Sequence, residues 1–118
     1  MTKFKIKRVY EKLNENDGFL VLCDRLWPRG VKKEALPIDM WAKEITPSTE
    51  IRKLFAHKPE NFAHFKELYL AELSQNPAVE EFLKAVKDEP LVTLLYAAKD
   101  KQCNHAMILR DFLQNKVR

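Results

Sequence analysis

Glycine is nearly absent: only Gly18 and Gly30 occur in 118 residues. That excludes the glycine-rich phosphate loops of dinucleotide- and nucleoside-triphosphate-binding folds, which need several glycines to bring backbone N–H groups against a phosphate. Cysteine is as scarce, with Cys23 and Cys103 alone, so the chain is no disulfide scaffold. His57, His64 and His105 show no short paired spacing, and Pro59 separates the first two; neither a metal nor another cofactor is expected. No apolar run approaches the roughly 20 residues that span a bilayer. At the N-terminus, Lys3-Phe4-Lys5-Ile6-Lys7 alternates charge with apolar side chains and lacks the continuous apolar stretch of a secretion signal. A cytoplasmic protein with reduced thiols and no membrane partner is the expectation.

What is present fits one globular domain over residues 1–118, with 46% hydrophobic and 32% charged residues. A chain of this length buries roughly two thirds of the surface its unfolded form exposes, so it folds without a staple. The net charge of +4 is unevenly spread. Residues 1–33 carry nine basic and four acidic side chains, 34–98 carry seven and eleven, and 99–118 carry five and two. If the basic ends meet, they form a surface attractive to phosphate, carboxylate or nucleic acid; the plainer reading is a set of solvated faces.

Hydrophobic periodicity supplies the elements. Alternation from Lys3 into Tyr10 predicts a first strand with one wet face and edge-guarding lysines. After the turn-forming Asn14 to Gly18, the apolar run Phe19 to Cys23 predicts a strand covered on both faces, and Leu91 to Ala98 predicts another. Between them, Ser48 caps a helix with Ile51, Leu54 and Phe55 on its inner face. A second helix runs from Glu60 to Ser74, and a third follows Asn76-Pro77. Asn104 caps a last helix that buries Leu109, Phe112 and Leu113. The predicted class is α/β: a short, mostly parallel sheet of about three strands flanked by helices. Parallel pairing across a helical crossover would make the segments after Cys23 and Ala98 face one crevice.

Those two segments carry the candidate site. Asp24-Arg25-Leu26-Trp27-Pro28-Arg29-Gly30 holds arginines on a stretch where Pro28 and Gly30 predict a rigid turn over Trp27 to Gly30. Guanidinium forks match phosphate and carboxylate oxygens in two-point geometry. Trp27 stacks on a ligand ring or wedges the loop onto the core, and Arg25 meets a ligand or pairs with Asp24 or another acid. Downstream, Lys99, Asn104 and His105 lie where the last helix begins, a favourable place for an anion; capping is the plainer duty of Asn104.

The strings Lys7-Arg8-Val9-Tyr10, Asp24-Arg25-Leu26-Trp27-Pro28-Arg29-Gly30, Trp41-Ala42-Lys43-Glu44-Ile45, Phe55-Ala56-His57 and Asn104-His105-Ala106 resemble the bacterial YeaO-like family, domain of unknown function 488. The resemblance extends over nearly the whole chain. It implies small cytosolic proteins without an established reaction, and a polar signature on Arg8, Tyr10, Asp24, Arg25, Arg29, Lys43, His57, Lys99 and Asn104. Leu20 stands where that pattern commonly has Arg, and Cys23 where it has Val.

Several chemistries fit these residues. Asp24 orients Arg25 or serves as a base. His57, just past a helix end, is an acid–base candidate or a C-terminal cap. Cys103 beside His105 is a conceivable thiolate. Two functional classes emerge. One is a crevice for a phosphate- or carboxylate-bearing small molecule or nucleotide, with Asp24 and His57 as catalytic candidates and Arg8, Tyr10, Arg25, Trp27, Arg29, Lys99, Asn104 and His105 as binding candidates. The other is a nucleic-acid-binding module using the basic termini and Trp27. A third reading has the polar residues merely holding loops to the core.

Overall fold

The computed structural model describes residues 2–117; Met1 and Arg118, the ends of the expected domain, lie outside the described part. Strands β1 (Lys3–Arg8), β2 (Phe19–Leu22), β3 (Met40–Trp41) and β4 (Leu91–Tyr96) form one sheet in the order β1-β4-β2-β3. Every neighbouring pair is parallel. Helices α1 (Thr49–Phe55), α2 (Phe62–Gln75) and α3 (Ala78–Val86) lie between β3 and β4, and α4 (His105–Lys116) follows β4. The α/β class is as the sequence predicts, with a fourth strand added. Two residues are too few to show periodicity, so β3 is invisible until it is seen pairing Met40 with Val21 and Trp41 with Leu22.

Both faces of the sheet are covered, but by different material. Phe4, Val21, Cys23, Val92 and Leu94 pack beneath all four helices, meeting Ile51, Phe65, Tyr69, Val86 and Leu109 among others. On the opposite face Leu20, Leu22 and Leu95 are closed over by Trp27, Val31, Leu36 and Ile38 of the β2–β3 connection together with Trp41 of β3. A parallel sheet needs cover on both sides, and here a loop rich in large apolar residues stands in for one helical layer. The α1 stripe is narrower than expected: Ile51 and Phe55 point inward at a spacing of four, whereas Leu54 is 57% exposed.

Local chemistry sets the connections. Asn14 caps the short turn before β2, its side chain accepting from Asn16 N–H while Asp17 accepts from Asn14 N–H, each at 2.8 Å. Gly18 then has φ +68°, and a Cβ there would sit 2.5 Å from the Leu91 carbonyl oxygen, so only glycine lets this turn press against β4. Ser48 and Asn104 accept from Ile51 N–H and Met107 N–H at the starts of α1 and α4, as expected of their residue types. The outer edge of β1 is blunted by side chains as well as by lysines. Phe4 N–H donates to the Gln114 carboxamide oxygen, whose nitrogen donates to Thr2 O, and Arg8 N–H donates to Glu11. Among the described residues, no helix is long and apolar enough to cross a membrane.

Candidate functional site

Because β2 and β4 are adjacent and parallel, the chain leaves both at the same end of the sheet. The segments after them, with the α1–α2 corner, wall a cleft of about 320 Å³. It brings together Tyr10, Asp24, Arg25, Trp27, Arg29, His57, Asn104 and His105 from the expected set, and adds Arg52, Leu26, Thr46, Pro47, Phe55 and Phe65. Arg8 and Lys99 are not in its wall. Arg8 stands behind it, its Nε donating to Ala98 O at 2.8 Å and its guanidinium lying 5.0 Å over the Tyr10 ring. It thereby fixes the strand-exit segment that the cleft uses.

The arginine turn is pre-organised, one residue later than predicted. Val31 N–H donates to Pro28 O, so the turn runs from Pro28 to Val31 with Gly30 at its third position and φ +77°. Trp27 is wedged: Nε1 donates to Val31 O at 2.6 Å, and the ring meets Trp41 edge-on at 5.6 Å. Trp41 in turn donates to Asp24 O and receives Lys43 Nζ over its ring at 3.9 Å. The Tyr10 hydroxyl donates to Arg29 O. The loop is thus held by its backbone and aromatic groups, which leaves the Arg29 side chain exposed and free of any hydrogen bond or ion pair among the described residues.

Asp24 does not orient Arg25, as one expectation had it. One of its oxygens accepts from Ala97 N–H at 2.9 Å, and the other lies 3.2 Å from His105 Nε2. Arg25 Nε donates instead to Pro47 O at 2.9 Å, and no carboxylate among the described residues pairs with it. The reason is local: Asp24 directly follows β2, so its carboxylate reaches sideways to the backbone leaving β4, while Arg25 continues toward α1. His105 Nε2 also lies 2.5 Å from Cys23 O. The Asn104 carboxamide is spent on the fold, its oxygen capping α4 and its nitrogen donating to Asp100 O. Cys23 and Cys103 are both free thiols. Burial pushes the Cys23 thiol far above its ordinary range, with the Asp24 charge adding to the effect, so it is no nucleophile at neutral pH. Among the described residues no group of three or more His, Cys, Asp or Glu is placed to hold a metal ion.

His57 reaches the cleft on a strained corner. Ala56 (φ 50°) and His57 (φ 56°) are the non-glycine residues with left-handed backbone, and they turn the chain from α1 toward α2. That geometry costs a residue with a Cβ about 1–2 kcal/mol. We therefore expect Ala56→Gly to raise the unfolding free energy by up to about 1 kcal/mol, after the extra chain entropy of glycine is subtracted. A urea titration measures it, and a loss of stability would show that the corner is unstrained.

Arg52 is the main residue that sequence reading missed. It lies in the acidic middle of the chain, and nothing in the α1 pattern says that the flank beside Ile51 borders the strand exits. With it, the cleft carries three guanidiniums, two from the segment after β2 and one from α1, plus His57 and His105, against the single carboxylate of Asp24.

Comparison with known proteins places the chain. It is 48% identical to the uncharacterized protein YeaO of Escherichia coli over 109 residues, covering 92% of this chain and 95% of that one. Over 115 residues it is 34% identical to uncharacterized proteins of Mycobacterium bovis and Mycobacterium tuberculosis, covering 98% of this chain and 97% of each of those. No solved structure gives a significant match. The profile of the family described as "Inactive DUF488-N3 subclade" matches residues 3–118, and the chain belongs to that YeaO-like DUF488 family.

Proposed function

We propose that this cleft binds a small molecule bearing a phosphate or carboxylate group. One observation carries the reading: Arg25, Arg29 and Arg52 converge on a cleft whose only carboxylate is engaged, and no acid among the described residues pairs with any of the three. Guanidiniums without carboxylate partners around a concavity favour a bound anion. Phe55, Phe65 and Leu26 supply apolar wall for the rest of such a ligand. The subclade's description as inactive favours binding over turnover, with Asp24 and His57 then shaping the site rather than moving protons. The setting proposed is the cytoplasm.

The nucleic-acid reading draws less support. Lys5 and Lys7 are engaged by Asp17, and Trp27 is wedged on Trp41, so the basic N-terminal strand and the aromatic platform that reading needs are already committed.

Thermal unfolding against a panel of phosphates, nucleotides, carboxylates and short oligonucleotides tests the proposal. A ligand at 100 times its dissociation constant adds about 2.7 kcal/mol. Small anions should stabilise the wild type, Arg25→Ala and Arg52→Ala should lose most of that gain, and rising salt should erode it gently. A response confined to oligonucleotides, falling steeply with salt, would overturn the reading, as would variants that keep the full shift.

A further inference from the structure

His105 is held differently from every other polar group in the cleft. Its Nε2 lies between two acceptors, Cys23 O at 2.5 Å and the Asp24 carboxylate at 3.2 Å, so Nε2 carries a hydrogen and donates. In a neutral imidazole the proton can sit on one nitrogen only, which leaves Nδ1 as a bare acceptor. Nδ1 has no hydrogen-bond partner among the described residues, yet no buried side-chain nitrogen or oxygen there lacks one. Nδ1 is therefore open to solvent, although the side chain is only 16% exposed. His105 is also part of the cleft wall.

The arrangement is a fixed acceptor with a backing carboxylate. Asp24 cannot swing away, because its other oxygen is tied to Ala97 N–H, and the Cys23 carbonyl is backbone leaving a buried strand. His57 offers no such definition: it is exposed, and its ring makes no hydrogen bond among the described residues. A rigid acceptor opposite cations rewards a ligand that presents a donor as well as an anion.

We infer that the ligand carries a hydroxyl or amino donor that His105 Nδ1 accepts; because three guanidiniums match a phosphate dianion better than a single carboxylate, the class is hydroxylated phosphate monoesters such as sugar phosphates and nucleotides. Asp24 is the positioning residue that selects the His105 tautomer. The inference rests on the anion-binding reading above and narrows it. The arginines hold the phosphate, and His105 discriminates between esters of equal charge, because an acceptor that must give up water without a replacement partner penalises the analogue lacking the donor.

Calorimetric titration with two matched pairs tests it: glycerol 3-phosphate against propyl phosphate, and ribose 5-phosphate against cyclopentylmethyl phosphate. In at least one pair the wild type should bind the hydroxylated ester about tenfold tighter, some 1.4 kcal/mol. His105→Leu should erase that preference, bringing the two esters of each pair to within about twofold of one another. Because His105→Leu also leaves Cys23 O unpaired and can weaken the fold, nitrogen-15 NMR of the wild-type imidazole supplies an independent reading. Protonated Nε2 and bare Nδ1 are expected, and a proton on Nδ1 of the neutral ring would overturn the inference. Equal affinities within both pairs would overturn it while leaving the anion cleft standing. If none of the four esters binds, the inference falls, and the anion-binding reading falls with it only if the carboxylates of the thermal-unfolding panel also fail to stabilise the protein.

Discussion

Phe65→Ala is expected to cost about 4 kcal/mol of unfolding free energy and to destroy the floor of the cleft. Phe65 is 2% exposed. Its ring stacks on Phe55 at 4.5 Å and meets Phe62 and Tyr69 at 6.3 and 5.9 Å. Truncation removes these contacts and leaves a cavity that a short α1 and a strained corner are poorly placed to fill. The same ring borders the cleft, so any anion affinity should fall with stability. Phe65→Leu, which keeps most of the volume, should lose less than half as much. Denaturant unfolding of the two variants checks the prediction. Equal costs would mean that the aromatic stack is not what anchors α2 to α1.

Asp17→Ala is expected to cost about 3 kcal/mol and to flatten the acid limb of the stability curve. The Asp17 side chain is 1% exposed and accepts from Lys5 Nζ at 2.8 Å and Lys7 Nζ at 2.9 Å, as well as from Asn14 N–H. Burial pushes its carboxyl upward. The Lys5 ammonium, the Asn14 N–H and the Lys7 ammonium outweigh that and hold it at about 2, below the ordinary 3.8. A carboxylate whose folded pKa is depressed stabilises the protein above its unfolded pKa, and that stabilisation is lost as pH falls through the folded value. The contribution is worth about 2 kcal/mol at neutral pH and should disappear between about pH 4 and pH 2. Removing the side chain also leaves the Asn14 N–H and the half-buried Lys7 without a partner, which accounts for the larger cost of the substitution. Unfolding curves of wild type and variant across this range should converge at the acid end. Parallel curves would assign the acid sensitivity to other groups.

The order and type of the elements are written in the sequence because they depend on near neighbours. Ser48 and Asn104 cap the helices they were expected to cap, and the apolar runs from Phe19 and Leu91 pair as parallel strands. The arginine turn was legible too, with an offset of one residue, because Pro28 and Gly30 restrict φ locally. Even the meeting of Asp24–Gly30 with the α4 start followed from topology alone: parallel neighbours end on one side.

Other features depended on residues far apart in the chain. The strand Met40–Trp41 exists only because β2 offers it a partner, and the loop layer over Leu20, Leu22 and Leu95 is a packing solution without a periodic signature. Arg52 enters the cleft because the α1–α2 corner swings its helix flank toward the strand exits. Asp24 chooses His105 and Ala97 over its neighbour Arg25 because strand direction fixes where its carboxylate reaches. The sequence by itself determined the four helices, the three longer strands and the arginine turn, since propensity, capping and alternation act over a few residues. Tertiary structure alone decided which cations stand unpaired and which histidine nitrogen is open, because desolvation and hydrogen-bond competition are settled between groups up to 82 positions apart.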